Sequence, residues 1–214
     1  MDLYLKSVIS MSKFKLSFKK LSLVKILSLG TIVLGLGCIS WSLINIWSQP
    51  KNSYNEATDN VEYLSKLDSY DKSTVIYEVN PEKGDNFGSI IMPTLKQKFP
   101  IIQGTDDKEL KKGVGHFLES ALPGEEDNCV LSGHRDTVFS QIGKLKIGDP
   151  LIVQTSAGIF TYRVSETRIV KKDDKTVIVP ADNAKLTMTT CYPFYFIGYA
   201  PERYIVFANL VKNK

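Results

Sequence analysis

The sequence holds 3 cysteines and 2 histidines, so few pairings of nucleophile and base are open to it. Cys191 closes the alternating apolar and polar run Leu186-Thr187-Met188-Thr189-Thr190 and is followed by Tyr192-Pro193-Phe194. A proline cannot donate to a β-ladder, so Pro193 predicts the end of a strand and puts Cys191 at a sheet rim, where a side chain can meet a substrate. There a thiolate can attack an acyl carbon and carry it as a thioester. Cys129, flanked by Val130 and Leu131, reads instead as a small apolar side chain in mid-strand, and Cys38 lies within an uncharged apolar run.

His134 follows Cys129-Val130-Leu131-Ser132-Gly133 and so also lies just past a strand end. His116 competes with it but sits in the glycine-rich stretch Gly113-Val114-Gly115-His116 with no strong strand before it; placement favours His134 as the acid–base partner. Arg203 opens the last β-type run, Arg203-Tyr204-Ile205-Val206-Phe207. A guanidinium stays protonated and presents five donors in a rigid fork, which suits a thiolate or a tetrahedral oxyanion nearby, although a surface arginine opening a strand is common.

The elements that must bring these residues together are short. β-type runs at residues 87–92, 100–103, 128–132, 150–154, 159–166, 186–190 and 203–211 are bounded by Gly, Pro, Asp and Asn. Such runs are strand signals, and their number predicts a mainly β domain, closed or nearly closed as an antiparallel barrel that leaves no exposed edge. Thr155-Ser156-Ala157-Gly158 reads as a hairpin turn, and short helical turns are expected at 107–112 and 138–142. A bridge between Cys129 and Cys191 conflicts with a contact between Cys191 and His134. Five strand residues at about 3.3 Å each put Cys129 about 16 Å from His134, far beyond the Cα separation of a disulfide.

Residues 26–46 carry no charge, and about 20 such residues in a helix span a hydrocarbon core of about 30 Å. The run is longer than the apolar region of a signal peptide and lacks a small-residue cleavage site, so an uncleaved anchor is expected. The net charge of +4 is concentrated ahead of it: up to residue 25 there are six lysines and one acid, which leaves 21 basic and 22 acidic residues in the remainder. The near-neutral remainder argues against a nucleic-acid partner, and the flanking lysines predict a cytoplasmic N-terminus with the rest outside the plasma membrane. The expected organisation is a basic N-terminus at 1–25, a transmembrane anchor at 26–47, a polar stalk at 48–83 with a short helix at 56–67, and a catalytic barrel at 84–214.

Leu131-Ser132-Gly133-His134-Arg135-Asp136-Thr137, Thr187-Met188-Thr189-Thr190-Cys191-Tyr192-Pro193-Phe194 and Arg203-Tyr204-Ile205-Val206 resemble, in order and spacing, the three motifs of the sortases. Ala121-Leu122-Pro123-Gly124-Glu125 upstream fits as well, and the similarity runs over residues 87–211. Met188 stands where the family has leucine, a swap that conserves volume. Thr-Cys-Tyr-Pro-Phe and the single N-terminal anchor look most like class D. The resemblance implies a closed eight-stranded sortase-type β-barrel with short helices, preceded by one transmembrane helix.

It further implies catalytic roles for Cys191, His134 and Arg203. Thr190, Thr187, Leu131 and the loop at 167–185 become candidates for a substrate groove. The implied activity is cleavage of an LPxT-G/A-type sorting signal through a thioacyl enzyme, with transfer to an amine of peptidoglycan or its lipid-linked precursor; the partners are surface proteins that carry such signals at their C-termini. No cofactor is expected. Asp173, Asp174 and nearby acids are compatible with a calcium ion but read more simply as a solvated loop, and the histidines and cysteines lack zinc-ligand spacing. Two rival readings are a hydrolytic cysteine protease of the same fold and a non-catalytic cell-surface β domain.

Overall fold

A computed structural model describes residues 23–47, 77–196 and 198–211. They form two compact units. The first is helix α1 (Leu23–Trp47), whose segment Lys25–Asn45 is long and apolar enough to cross a membrane. Large apolar side chains point outward on all sides of it, among them Ile26, Leu29, Val33, Leu36 and Ile44. A helix apolar all round has no polar face to turn to water and is suited to a hydrocarbon environment. The Thr31 hydroxyl is satisfied within the helix by donating to the Ser28 carbonyl at 2.8 Å. The stalk helix expected at 56–67 lies outside the described residues.

The second unit is a closed barrel of eight strands: β1 (Asn86–Met92), β2 (Gln97–Gln103), β3 (Val114–His116), β4 (Asn128–Ser132), β5 (Pro150–Thr155), β6 (Gly158–Lys171), β7 (Lys185–Tyr192) and β8 (Glu202–Leu210). Around the barrel the order is β1-β2-β3-β4-β7-β8-β6-β5. The barrel is not wholly antiparallel, because β2 with β3 and β4 with β7 pair in parallel. Parallel neighbours need crossover connections, and the long chain path between β4 and β7 supplies one. Alternation along the strands sends Ile90, Ile101, Leu131, Phe160, Leu186 and Val206 into one buried core.

Two elements differ from expectation. The glycine-rich stretch around His116 is a strand after all: β3 is only three residues long, all buried, and closes the ring between β2 and β4. Gly115 is required there, since a Cβ would come within 2.5 Å of the Gly104 carbonyl oxygen. Strand β6 runs on past Glu166 to Lys171, its register with β8 shifting between Val164 and Glu166. The hairpin is as expected, with Thr155 facing Gly158. A one-turn helix α2 (Asp107–Leu110) and a 3-10 turn at Ile142–Lys144 fall near the predicted helical turns.

The approach to the barrel engages it earlier than residue 84. The Tyr77 hydroxyl donates to the Pro123 carbonyl at 2.8 Å and lies 3.2 Å from Thr155 Oγ1, at the barrel end where β5 stops and β6 begins.

Candidate active site

Register decides which side chains share a face. Leu186 and Met188 of β7 point into the core, so Thr187, Thr189 and Cys191 point outward. On β8, Val206 and Ala208 point inward, leaving Arg203, Ile205 and Phe207 outside. Cys191 faces Arg203 across the antiparallel β7–β8 pair, and Val170 of β6 faces Arg203 on its other side. Directly opposed side chains have Cβ atoms about 4.5–5.5 Å apart. The parallel β4–β7 register sets Ser132 beside Thr189, and His134 opens the turn that follows, where the Thr137 amide donates to its carbonyl. Val170, Arg203 and Cys191 therefore form one row across the outer face, and the turn that begins at His134 leaves β4 at the same end of the barrel.

The turn carrying His134 is held in that register past the end of β4. The Gly133 amide donates to the Thr189 carbonyl at 3.2 Å, and the Thr190 hydroxyl donates to the Gly133 carbonyl at 2.7 Å. Thr190 is 3% exposed, so it orders the site from beneath. Arg203 is itself anchored: its Nη1 donates to the carbonyls of Ala200 at 3.1 Å and Glu202 at 2.9 Å. Its Nε and Nη2 make no hydrogen bond to the described residues.

The outer face beside this row is apolar. Val177, from the β6–β7 loop, packs on Ile205, Phe207 and Val170. The loop is tied to the start of β4, where Asn128 Nδ2 donates to the Val179 carbonyl at 3.0 Å and the Ala181 amide donates to Asp127 Oδ1 at 2.7 Å. It stands as a wall along one side of the row, with Ile178 and Val179 partly open to solvent.

Two of the expected groove residues are enclosed by protein. Leu131 is wholly buried in the barrel core, its side chain on the inner face of β4. Thr187 points outward but is 0% exposed and spends its hydroxyl on Asn128 Oδ1 at 2.7 Å. Both side chains lie below the molecular surface.

The competing residues are occupied elsewhere. His116 is wholly buried, with Nε2 at 2.9 Å from the Ala121 carbonyl and Nδ1 at 2.7 Å from the Gln103 side-chain amide. Gln103 presents Oε1 to Nδ1 and Ser120 Oγ lies 3.2 Å from Nε2, so the tautomer of the neutral ring decides whether Nδ1 donates to Gln103 or Nε2 donates to Ala121. Burial holds its pKa below the ordinary histidine value, partly opposed by the Ala121 carbonyl. Cys129 and Cys191 are both free thiols. Cys129 points inward opposite Leu186, five strand residues from Cys191, and burial, with the charge of Glu125 adding to it, pushes its thiol far above the usual range. Asp174 accepts from the amide and hydroxyl of Thr176 at 2.8 and 2.7 Å, which lowers its carboxyl pKa. Among the described residues no group of His, Cys, Asp and Glu is placed to hold a metal ion.

The family model described as "Sortase domain" matches residues 90–211, more than half of the chain. The chain belongs to the sortase family. Sortase D of Bacillus subtilis (strain 168) is 37% identical over 198 residues, spanning 90% of this chain and 99% of the relative. Among solved structures, the catalytic domain of B. anthracis SrtD is 42% identical with a TM-score of 0.55, over 65% of this chain and 97% of that one. The X-ray structure of Clostridium perfringens sortase C with the C-terminal cell wall sorting motif is 34% identical with a TM-score of 0.57, over 62% and 74% of the two chains. This sortase is a cysteine transpeptidase of the β-barrel type, and neither the purely hydrolytic nor the non-catalytic reading is favoured.

Sequence patterns single out Cys191, His134 and Arg203. They do not single out Arg135, Asn128 or Asp127. Arg135 was detectable as a third polar residue beside His134, whereas the other two reveal themselves only through the loop they hold.

Proposed function

We propose that this sortase cleaves an LPxT-type sorting signal at the C-terminus of surface proteins and transfers the new acyl end to a cell-wall amine, with Cys191 as nucleophile. What supports this is Cys191 opposite Arg203 on the outer face, with the His134 turn leaving β4 at the same end and the apolar wall of the β6–β7 loop beside them. The Cys191 sulfur attacks the carbonyl carbon of the signal's threonine, and the oxyanion is stabilised by the unpaired donors of Arg203 and a backbone N–H near Cys191. Collapse breaks the C–N bond while protonated His134 gives its proton to the departing amine, leaving a thioester. An incoming amine then attacks the thioester carbon, loses a proton to His134 and expels the thiolate.

The division into a basic N-terminus at 1–25, an anchor at 26–47, a stalk at 48–83 and a catalytic barrel at 84–214 belongs to the same proposal, with Tyr77 and Lys83 as stalk contacts to the barrel. The test is cleavage of a library of LPxT-like peptides by the full chain in detergent, with and without an added amine. The proposal expects cleavage after threonine, a transpeptidation product that grows with amine, and no turnover by Cys191→Ala or His134→Ala. An active Cys191→Ala enzyme would end it.

A further inference from the structure

Arg135, next to His134, reaches across to the segment that follows Cys191. Its Nη1 donates to the Pro193 carbonyl at 3.0 Å and its Nη2 to the Gly198 carbonyl at 2.8 Å. One planar fork thus joins the start of the β7–β8 loop at Pro193 to its middle at Gly198, a geometry only arginine offers. Beneath this strap, Phe194 packs where a Cβ on Gly143 would meet its ring at 2.6 Å, and Phe194 also contacts Tyr192 and Tyr204 at 5.5 and 5.2 Å between ring centroids. The loop continues into Ala200 and Glu202, the two carbonyls that hold the Arg203 guanidinium.

We propose that Arg135 is a positioning residue for the transpeptidation, one guanidinium that fixes the relative placement of His134, Cys191 and Arg203 by strapping the loop between the last two to the turn that bears the first. This rests on the roles proposed above for those three residues. The strap binds the protein's own backbone. Pro193 stands two positions after Cys191, and Gly198 two positions before Ala200, so slack at either carbonyl is passed directly to a reacting group. A displacement of about 1 Å among reacting groups lowers turnover by up to about 100-fold, which sets the scale of the effect.

The experiment compares full-length wild type, Arg135→Ala, Arg135→Lys, Cys191→Ala and His134→Ala in detergent, with rates expressed per thiol titrated by a sorting-signal-like covalent probe and, for Cys191→Ala, per protein chain. Arg135→Ala is expected to lose about tenfold or more in kcat, within the range that misplacement produces, while KM for the peptide changes less than about threefold. The pH profile of kcat/KM is expected to broaden or move, because the mutual placement of thiol and imidazole has altered. Arg135→Lys, with a point charge able to reach one carbonyl at a time, is expected to recover part of the rate. A wild-type kcat per titrated thiol in Arg135→Ala, with Cys191→Ala and His134→Ala inactive, overturns the strap and leaves the catalytic roles standing. The strap is overturned equally if Arg135→Ala does not fold but Arg135→Lys matches wild type in kcat and pH profile. Activity in Cys191→Ala overturns both the strap and the catalytic roles.

Discussion

At the scale of single residues the two histidines of this sortase have been given opposite environments. His116 is enclosed by Gln103, Ala121, Ser120 and the edge of Phe87, whereas His134 sits in a partly exposed turn. The lowered pKa of His116 has a consequence for stability. Above the ordinary histidine value of about 6.5 the ring is neutral in both folded and unfolded chains, and its contribution is fully present. As pH falls through that value the unfolded chain takes up a proton that the folded chain refuses, so stability is lost on acidification. We expect Tm to fall between about pH 7.5 and pH 5.5, and His116→Gln to show a shallower fall from a starting stability lower by about 1–3 kcal/mol, the cost of leaving buried partners unpaired. Equal slopes in a thermal-melt series would remove His116 as the source. This distinction was only partly legible in the sequence: placement after a strand end singled out His134, but nothing in Gly-Val-Gly-His shows that the ring has Gln103 for a partner, thirteen positions away.

At the scale of elements, the floor of the site and its wall are made by different means. Cross-strand register forms the floor, and a few side-chain bonds hold the wall. Asn128 serves both, accepting from Thr187 on β7 and donating to Val179 in the β6–β7 loop. Asn128→Ala leaves a buried Thr187 hydroxyl without its acceptor, which costs about 1–3 kcal/mol. It also frees the loop from the head of β4. Because Cys191 and His134 sit at the other end of their strands, we expect steady-state kinetics to show KM for the peptide rising more than kcat falls, the reverse of the Arg135 pattern. A kcat defect at unchanged KM would mean that the loop is not the wall of the groove. Alternation predicted which residues of β7 leave the core, and this is why Cys191 was legible. Thr187 and Leu131 misled for a physical reason: the outer face of this barrel is itself covered near β7, and Leu131 points inward. β3 escaped notice because three residues with a central glycine carry no period, and their strand identity comes only from the neighbours on either side.

At the scale of the whole molecule, a barrel whose surface is near neutral is joined to a helix that is apolar on every side. Tyr77 touches the barrel at the end opposite Cys191, since Thr155 terminates β5 where Gly158 opens β6 and Lys171, at the far end of β6, pairs with Glu202 beside the site. Insertion is favoured by the uncharged run 26–46, and orientation by the six lysines up to residue 25, because cationic flanks stay on the cytoplasmic side. The full chain should resist extraction from membranes at alkaline pH, and the barrel should be degraded when intact, wall-stripped cells are treated with an external protease. Replacing Lys13, Lys15, Lys19 and Lys20 with glutamine removes most of the orienting charge without touching the apolar run, so it should leave membrane retention unchanged while protecting a fraction of the barrel from that protease. If the barrel of the unaltered chain were protected in intact cells, the assigned orientation would be reversed, and a transpeptidase acting on surface proteins would stand on the wrong side of the membrane from its acceptor.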